Sequence, residues 1–135
     1  KFYEMYKLGE YRPWALDRMV RLVKDSLLAF QRVNIPVIRV GLHSDPSMLE
    51  NLVDGPYHPS FRYLVDSLIA RENMIDLIDQ LKSIPQKLTF KVPSRQVSLY
   101  LGHKKDNIQS IQNLYGIKNI FIQQIGEQEK LQLVA

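Results

Sequence analysis

The run Val37-Ile-Arg-Val-Gly-Leu42, preceded by Ile35-Pro36 and followed by Ser44-Asp-Pro46, constrains the fold most. It is short, apolar and rich in β-branched residues, with a proline before it and a polar turn after it. That pattern predicts a strand buried on both faces, as in a parallel sheet. The long amphipathic stretch from Trp14 to Asn34 leads directly into it. Helix, tight turn and buried strand form half of a repeated α/β unit, and one such unit cannot close a sheet by itself. The expectation is therefore that neighbouring strands lie in a part of the protein outside this stretch. Lys1, rather than Met, at the first position agrees with an excerpt of a longer chain.

Composition narrows the chemistry. The chain has 135 residues, 45% hydrophobic and 24% charged, as expected for a folded protein of one domain or two small ones. It has no cysteine. Disulfides, thiolate nucleophiles, cysteine zinc sites and cysteine-held iron–sulfur clusters are excluded within these residues. No run approaches the ~20 apolar residues of a membrane span and no signal peptide is visible, so a cytoplasmic location without membrane contact is expected. A net charge of +4 permits contact with a phosphate backbone without requiring it.

Before the central run, Phe2, Met5 and Tyr6 have helical spacing and Gly9 is a stop signal. Pro13 suits the first position of the next helix. Leu16, Met19, Val20, Val23, Leu27 and Phe30 form its apolar stripe, with the basic residues on solvated faces. Within the run, Val37, Arg39 and Gly41 share one strand face. Arg39 is costly to bury alone. It serves either a structural ion pair or strand end, or a barrel lumen where it meets an anion. Gly41 permits close approach of a ligand or backbone. Ligands of parallel α/β folds sit at the carboxyl ends of strands, which places Leu42, His43 and Ser44 at the site rim. His43, Asp45, Asp54 and His58 match no metal-ligand spacing and read as solvated loop residues. No metal site and no catalytic residue is assigned within the chain.

Gly55-Pro-Tyr-His-Pro-Ser-Phe61 is a stiff, turn-rich approach to a helix carrying Phe61, Leu64, Val65 and Leu68. Asn73 can cap a further helix with Ile75, Ile78 and Leu81. Ser83-Ile-Pro85 ends it, which divides the chain into residues 1–83 and 84–135. The second part reads as a strand (Leu88 to Val92), a helix from Ser94 to Leu101, a basic turn, a helix capped by Asp106, and two strands (Asn119 to Ile125, Lys130 to Val134). Ile108, Ile111 and Leu114 are its expected buried helix positions, and Gly116 its stop.

That order, with Leu101-Gly-His-Lys-Lys-Asp-Asn-Ile-Gln-Ser-Ile111, resembles the core of a KH domain, a small βααββ module whose GXXG loop clamps a nucleic-acid backbone. Gly102 keeps the first glycine and Lys105 replaces the second. The resemblance implies Gly102, His103, Lys104 and Lys105 as nucleic-acid contacts and RNA as a partner.

The runs Met5-Tyr-Lys-Leu-Gly-Glu-Tyr-Arg-Pro13, Ile35-Pro-Val-Ile-Arg-Val-Gly-Leu42 and Gly55-Pro-Tyr-His-Pro-Ser-Phe61 resemble the C-terminal half of radical SAM proteins. The group is the one similar to the Elongator catalytic subunit, often labelled oxygen-independent coproporphyrinogen III oxidase-like. The resemblance implies an α/β plus α+β architecture. The last helix–strand unit of a partial (β/α) barrel is followed by helices and then by the KH-like module. It further implies an oxidoreductase- or transferase-type parent holding S-adenosylmethionine and a [4Fe–4S] cluster, with this chain inactive alone and the cluster cysteines in an N-terminal half. That half is the expected partner of this chain, which alone holds neither cofactor. Arg39, Gly41 and Leu42 are the implied contacts to the adenosine part of the cofactor. The acetyltransferase domain of true Elongator catalytic subunits has no counterpart here.

Overall fold

The computed structural model describes residues 1–43 and 45–135. Ser44, expected at the site rim, lies outside the described residues. The fold is of mixed α+β class. Its described elements are α1 (Phe2–Lys7), α2 (Leu16–Arg32), α3 (Pro46–Glu50), α4 (Phe61–Asp79), β1 (Lys87–Pro93), α5 (Val97–Leu101), α6 (Asp106–Tyr115), β2 (Asn119–Ile125) and β3 (Gln132–Val134). Short 3-10 turns, Ser94–Gln96 and His103–Lys105, precede α5 and α6. The chain forms two compact units, Lys1–Val65 and Asp66–Ala135, and the division falls inside α4.

In the first unit, α2 follows its apolar stripe. Val20 and Leu27 are buried, while Phe30 at the end of the stripe is exposed. The helix begins at Leu16, after Ala15, and not at Pro13, which instead lines an aromatic-walled cavity beside Tyr11. Arg21 pairs with Asp17 across one turn at 2.9 Å, and Arg18 stacks 4.1 Å above the Trp14 ring. Both arrangements keep the charged face of α2 in water. The turn after the central run contains a helix not expected from sequence. Pro46 occupies the first turn of α3, and Asp45 caps it by accepting from the Met48 N–H at 2.8 Å. The Ser47 hydroxyl donates to the same carboxylate, and together these bonds hold Asp45 below its ordinary pKa.

The central run itself departs from expectation. Residues 35–40 lie outside any helix or sheet, and no strand among the described residues pairs with them. Ile38 is 98% exposed and Leu42 70% exposed, while Val37 and Val40 are half-buried. A strand buried on both faces is therefore not formed within this unit. The physical reason is the absence of a neighbouring strand, because a lone strand leaves its backbone groups to water and gains no ladder.

The second unit is a three-stranded sheet of order β2-β1-β3 with helices packed on one face. β1 runs parallel to β2, with Lys87 opposite Asn119 and Pro93 opposite Ile125. It runs antiparallel to β3, with Phe90 opposite Leu133. Alternation along β1 buries Leu88, Phe90 and Val92 against Ala70, Met74 and Ile78 of α4, Tyr100 of α5, and Ile108 and Ile111 of α6. Each such large side chain contributes about 1.5–3 kcal/mol by leaving water. Residues 70, 74 and 78 repeat every four positions, so one face of α4 supplies the cover. That packing draws α4 from Asp66 onward into the second unit, ahead of the 83–84 division read from the stop at Ser83-Ile-Pro85.

Three local expectations are corrected. α4 continues unbroken through Asn73, whose side chain hydrogen-bonds the Tyr100 hydroxyl instead of capping a new helix. Asp106 does not cap α6 with Gln109. The cap position is Lys105, and Asp106 accepts from the adjacent Asn107 N–H. Leu114, expected on the buried face, is 63% exposed. Gly116 does end the helix, in the left-handed conformation at φ +69°.

One buried polar group ties the helices together. Asn107, 2% exposed, donates from Nδ2 to the Ser67 carbonyl (3.0 Å), the Ser67 Oγ (3.0 Å) and the Leu99 carbonyl (2.9 Å). The Ser67 hydroxyl also donates to the Leu99 carbonyl at 3.0 Å. Replacing the amide strands those acceptors in an apolar interior. Asn107→Leu should therefore lower unfolding stability by about 2–3 kcal/mol, read from urea denaturation of the wild-type and variant chains.

Candidate functional site

The apolar run ends at Gly41, where the backbone turns to φ +85°. A side chain at this φ is strained, and an added Cβ would lie 3.1 Å from the Phe61 Cβ. Phe61 is brought there by the turn that precedes α4. Asp54 accepts from the Gly55 N–H at 2.7 Å, Gly55 adopts φ +129°, and the Tyr57 N–H closes on the Gly55 carbonyl at 2.8 Å. The Phe61 N–H donates to the His58 carbonyl at 3.1 Å. Pro56 and Pro59 lock the intervening dihedrals and contribute no donors. The stiffness expected from sequence is thus built from named hydrogen bonds.

His58 is fixed by the same turn. Its Nδ1 accepts from the Ser60 N–H at 3.0 Å, so the neutral ring carries its proton on Nε2. The ring lines a cavity of about 330 Å³ together with Met19 and Val23 of α2, Gly41, Leu42, Leu52, the 54–57 turn and Phe61. The walls are mainly apolar, with one carboxylate and one imidazole among them. Such a cavity suits a flat apolar or heteroaromatic group oriented by a few polar contacts.

Asp54 also borders a second cavity, of about 270 Å³, walled by Phe2, Tyr3, Tyr6 and Tyr11. It accepts the Tyr6 hydroxyl, and that bond, followed by its negative charge, raises the Tyr6 pKa above the ordinary phenol value.

Of the three residues expected to touch a cofactor, Gly41 and Leu42 line the larger cavity. Arg39 is exposed and is not among its walls, so the cost of burying it does not arise in this unit. His43, Asp45 and Asp54 are exposed, but only His43 is without an assigned part in the local structure: Asp45 caps α3, and Asp54 borders both cavities. His58 is instead half-buried and belongs to the cavity, which its spacing did not signal. The available signal was a histidine held between two prolines in a turn of fixed geometry. Among the described residues no three His, Asp or Glu side chains are grouped to hold a metal ion. The chain also has no thiolate with which to hold an iron–sulfur cluster.

The second set of expected contacts lies at the turn between α5 and α6. His103, Lys104 and Lys105 are exposed, and Gly102 is buried at φ +75°. An added Cβ on Gly102 would collide with the Asp106 carboxylate and the Asn107 backbone, so this glycine is required by packing of the following helix. Lys104 (φ +50°) and Lys105 (φ +65°) are both left-handed. At Lys105 the chain thus adopts the backbone conformation a glycine would favour, while carrying a basic side chain.

Gly41→Ala should lower unfolding stability by about 1–2 kcal/mol through the left-handed backbone alone, with displacement of Phe61 adding to it. Denaturation followed through aromatic fluorescence and near-ultraviolet dichroism reads both effects.

Comparison with curated proteins and with solved structures finds no match. Comparison with family models finds the Radical_SAM C-terminal domain over residues 1–71, which takes in α1 through the first half of α4 and every wall of both cavities. The chain belongs to the Radical_SAM C-terminal domain family.

Proposed function

We propose that this chain is the C-terminal part of a radical SAM enzyme of the oxygen-independent coproporphyrinogen III oxidase-like, Elongator-related group, acting in the cytoplasm. In this reading residues 37–42 are the last strand of a partial barrel whose other strands come from an N-terminal half. The observation that carries it is the unpaired apolar run with Ile38 at its centre, ending at a cavity lined by Gly41 and Leu42. Burying one isoleucine of that run contributes about 1.5–3 kcal/mol, which gives the missing strands a direct energetic reason to add here. Family membership over residues 1–71 supports the same reading.

The cofactors follow from the family. S-adenosylmethionine and a [4Fe–4S] cluster would belong to the whole enzyme, where the cluster supplies the electron for reductive cleavage of S-adenosylmethionine. The cluster does not fit this chain, since no thiolate is present. The adenosine part of S-adenosylmethionine does fit the cavity. Met19, Val23, Leu42 and Phe61 would offer apolar walls to a planar base, with Gly41 seating Phe61 in its wall position, and His58 would offer an N–H donor. Arg39, carried by the same strand, would contact the cofactor only once the barrel has closed around it.

A second reading concerns residues 84–135 as a KH-like RNA reader through Gly102, His103, Lys104 and Lys105. The exposed basic turn between α5 and α6 supports it.

The leading reading is tested on the full-length parent protein, prepared without oxygen and reconstituted with iron and sulfide. It predicts cluster absorption and cleavage of S-adenosylmethionine. It also predicts that removing this C-terminal part leaves the cluster formed and slows cleavage by at least about a hundredfold, through loss of cofactor positioning. An intact parent that holds no cluster and cleaves no S-adenosylmethionine contradicts it.

A further inference from the structure

The sheet of the second unit has one face covered by helices and one face open. The sheet is mixed, parallel on one side of β1 and antiparallel on the other, so one face can stand in water, and among the described residues of the second unit no helix packs on the face opposite α4, α5 and α6. Register places Lys87, Thr89 and Lys91 of β1 along its centre. Phe121 and Gln123 of β2 lie on one side, opposite Thr89 and Lys91, and Val134 of β3 lies on the other, opposite Thr89. Phe121 is 47% exposed, and the Lys87 ammonium sits 5.1 Å from the centre of its ring.

The charge on this face has one sign. None of the three strands contains a carboxylate, and Lys87 and Lys91 are their only charged residues. Lys118 and Lys130, just outside β2 and β3, are exposed. The acids of the β2–β3 connection are engaged locally. Glu127 accepts from the Ser94 hydroxyl and the Arg95 N–H, and Glu129 accepts from the Gly126 N–H. Lys87 and Lys91 are four residues apart, about 13 Å along the strand, with the aromatic ring between them on the neighbouring strand.

The geometry points to the open sheet face as a stacking platform for single-stranded nucleic acid. Phe121 takes the face of one base. Lys87 and Lys91 pair with the phosphates on either side, and Thr89, Gln123 and Gln132 supply donors and acceptors to base edges. A protein partner would require an apolar core to the patch, and here the two exposed apolar groups are set among lysines and amides with no compensating acid. This surface is separate from the turn at Gly102–Lys105, and the inference does not rest on the radical SAM reading.

The test uses the 135-residue chain and fluorescein-labelled oligouridylate and oligothymidylate about a dozen nucleotides long, followed by anisotropy at two salt concentrations. Binding should weaken steeply with salt. Phe121→Ala should weaken it roughly five- to hundredfold, while Phe121→Tyr retains it. Lys87→Ala with Lys91→Ala should lower the slope of log affinity against log salt by about 1.4. Circular dichroism confirms that each variant is folded, and the lysine pair carries the test if Phe121→Ala is not. Tighter binding of the uridylate assigns the platform to RNA, and equal binding assigns it to either strand chemistry. No binding at low salt overturns the inference. So does binding that survives the changes at Phe121, Lys87 and Lys91 and is lost with Lys104→Ala and Lys105→Ala.

Discussion

Backbone amides and carbonyls that leave water must find partners, and this requirement governs residues 35–42. The run has the composition of a core strand, yet nothing among the described residues pairs with it, so it cannot take up the burial that its side chains favour. Val37 and Val40 turn partly inward while Ile38 is left in water. In the function proposed above, strands from elsewhere pair with this run and remove the conflict between its interior sequence and its unpaired position.

The second unit shows the same requirement satisfied. β1 has a ladder on each side, its apolar side chains alternate toward the helices, and the polar atoms trapped under those helices are closed by Asn107 and Ser67. Residues 106–117 also show how a helix is bounded by backbone conformation. Two left-handed lysines open it and a left-handed glycine closes it. Two non-glycine residues in that region cost about 1–2 kcal/mol each, so the surrounding packing holds the turn in place. The Asp106 and Asn107 groups that would meet any side chain at Gly102 are part of that packing.

Helices whose apolar stripe and stop signals agree were legible in the sequence. α2 was drawn from Leu16, Val20 and Leu27, and α6 from Ile108, Ile111 and Gly116. β1 and β2 were legible because alternation coincided with a one-sided core. Where the sequence misled, tertiary packing outweighed a local signal. Asn73 is a good cap in isolation, but Met74 and Ile78 are worth more to the core if the helix continues. Pro13 is a good first helical residue, but it lines the cavity that Tyr11 also borders, and α2 begins only after Ala15. The central run could not be resolved from one chain, since a strand's pairing is a property of its neighbours. Gly41 and Leu42 line the cavity because both precede a turn at the end of an apolar run, a position that the sequence marks. The position of His58 at the cavity is not legible from ligand spacing, because it is set by a hydrogen bond from the Ser60 N–H two residues on.

The central claim, that residues 37–42 are a strand awaiting partners, is tested most directly by amide hydrogen exchange on this chain and on the full-length parent protein. The account predicts exchange near the unprotected rate for these amides in the chain alone. It predicts strong protection of the same amides in the parent, at the level of the parent's other core strands. Protection already present in the chain alone, or fast exchange persisting in the folded parent, would contradict it.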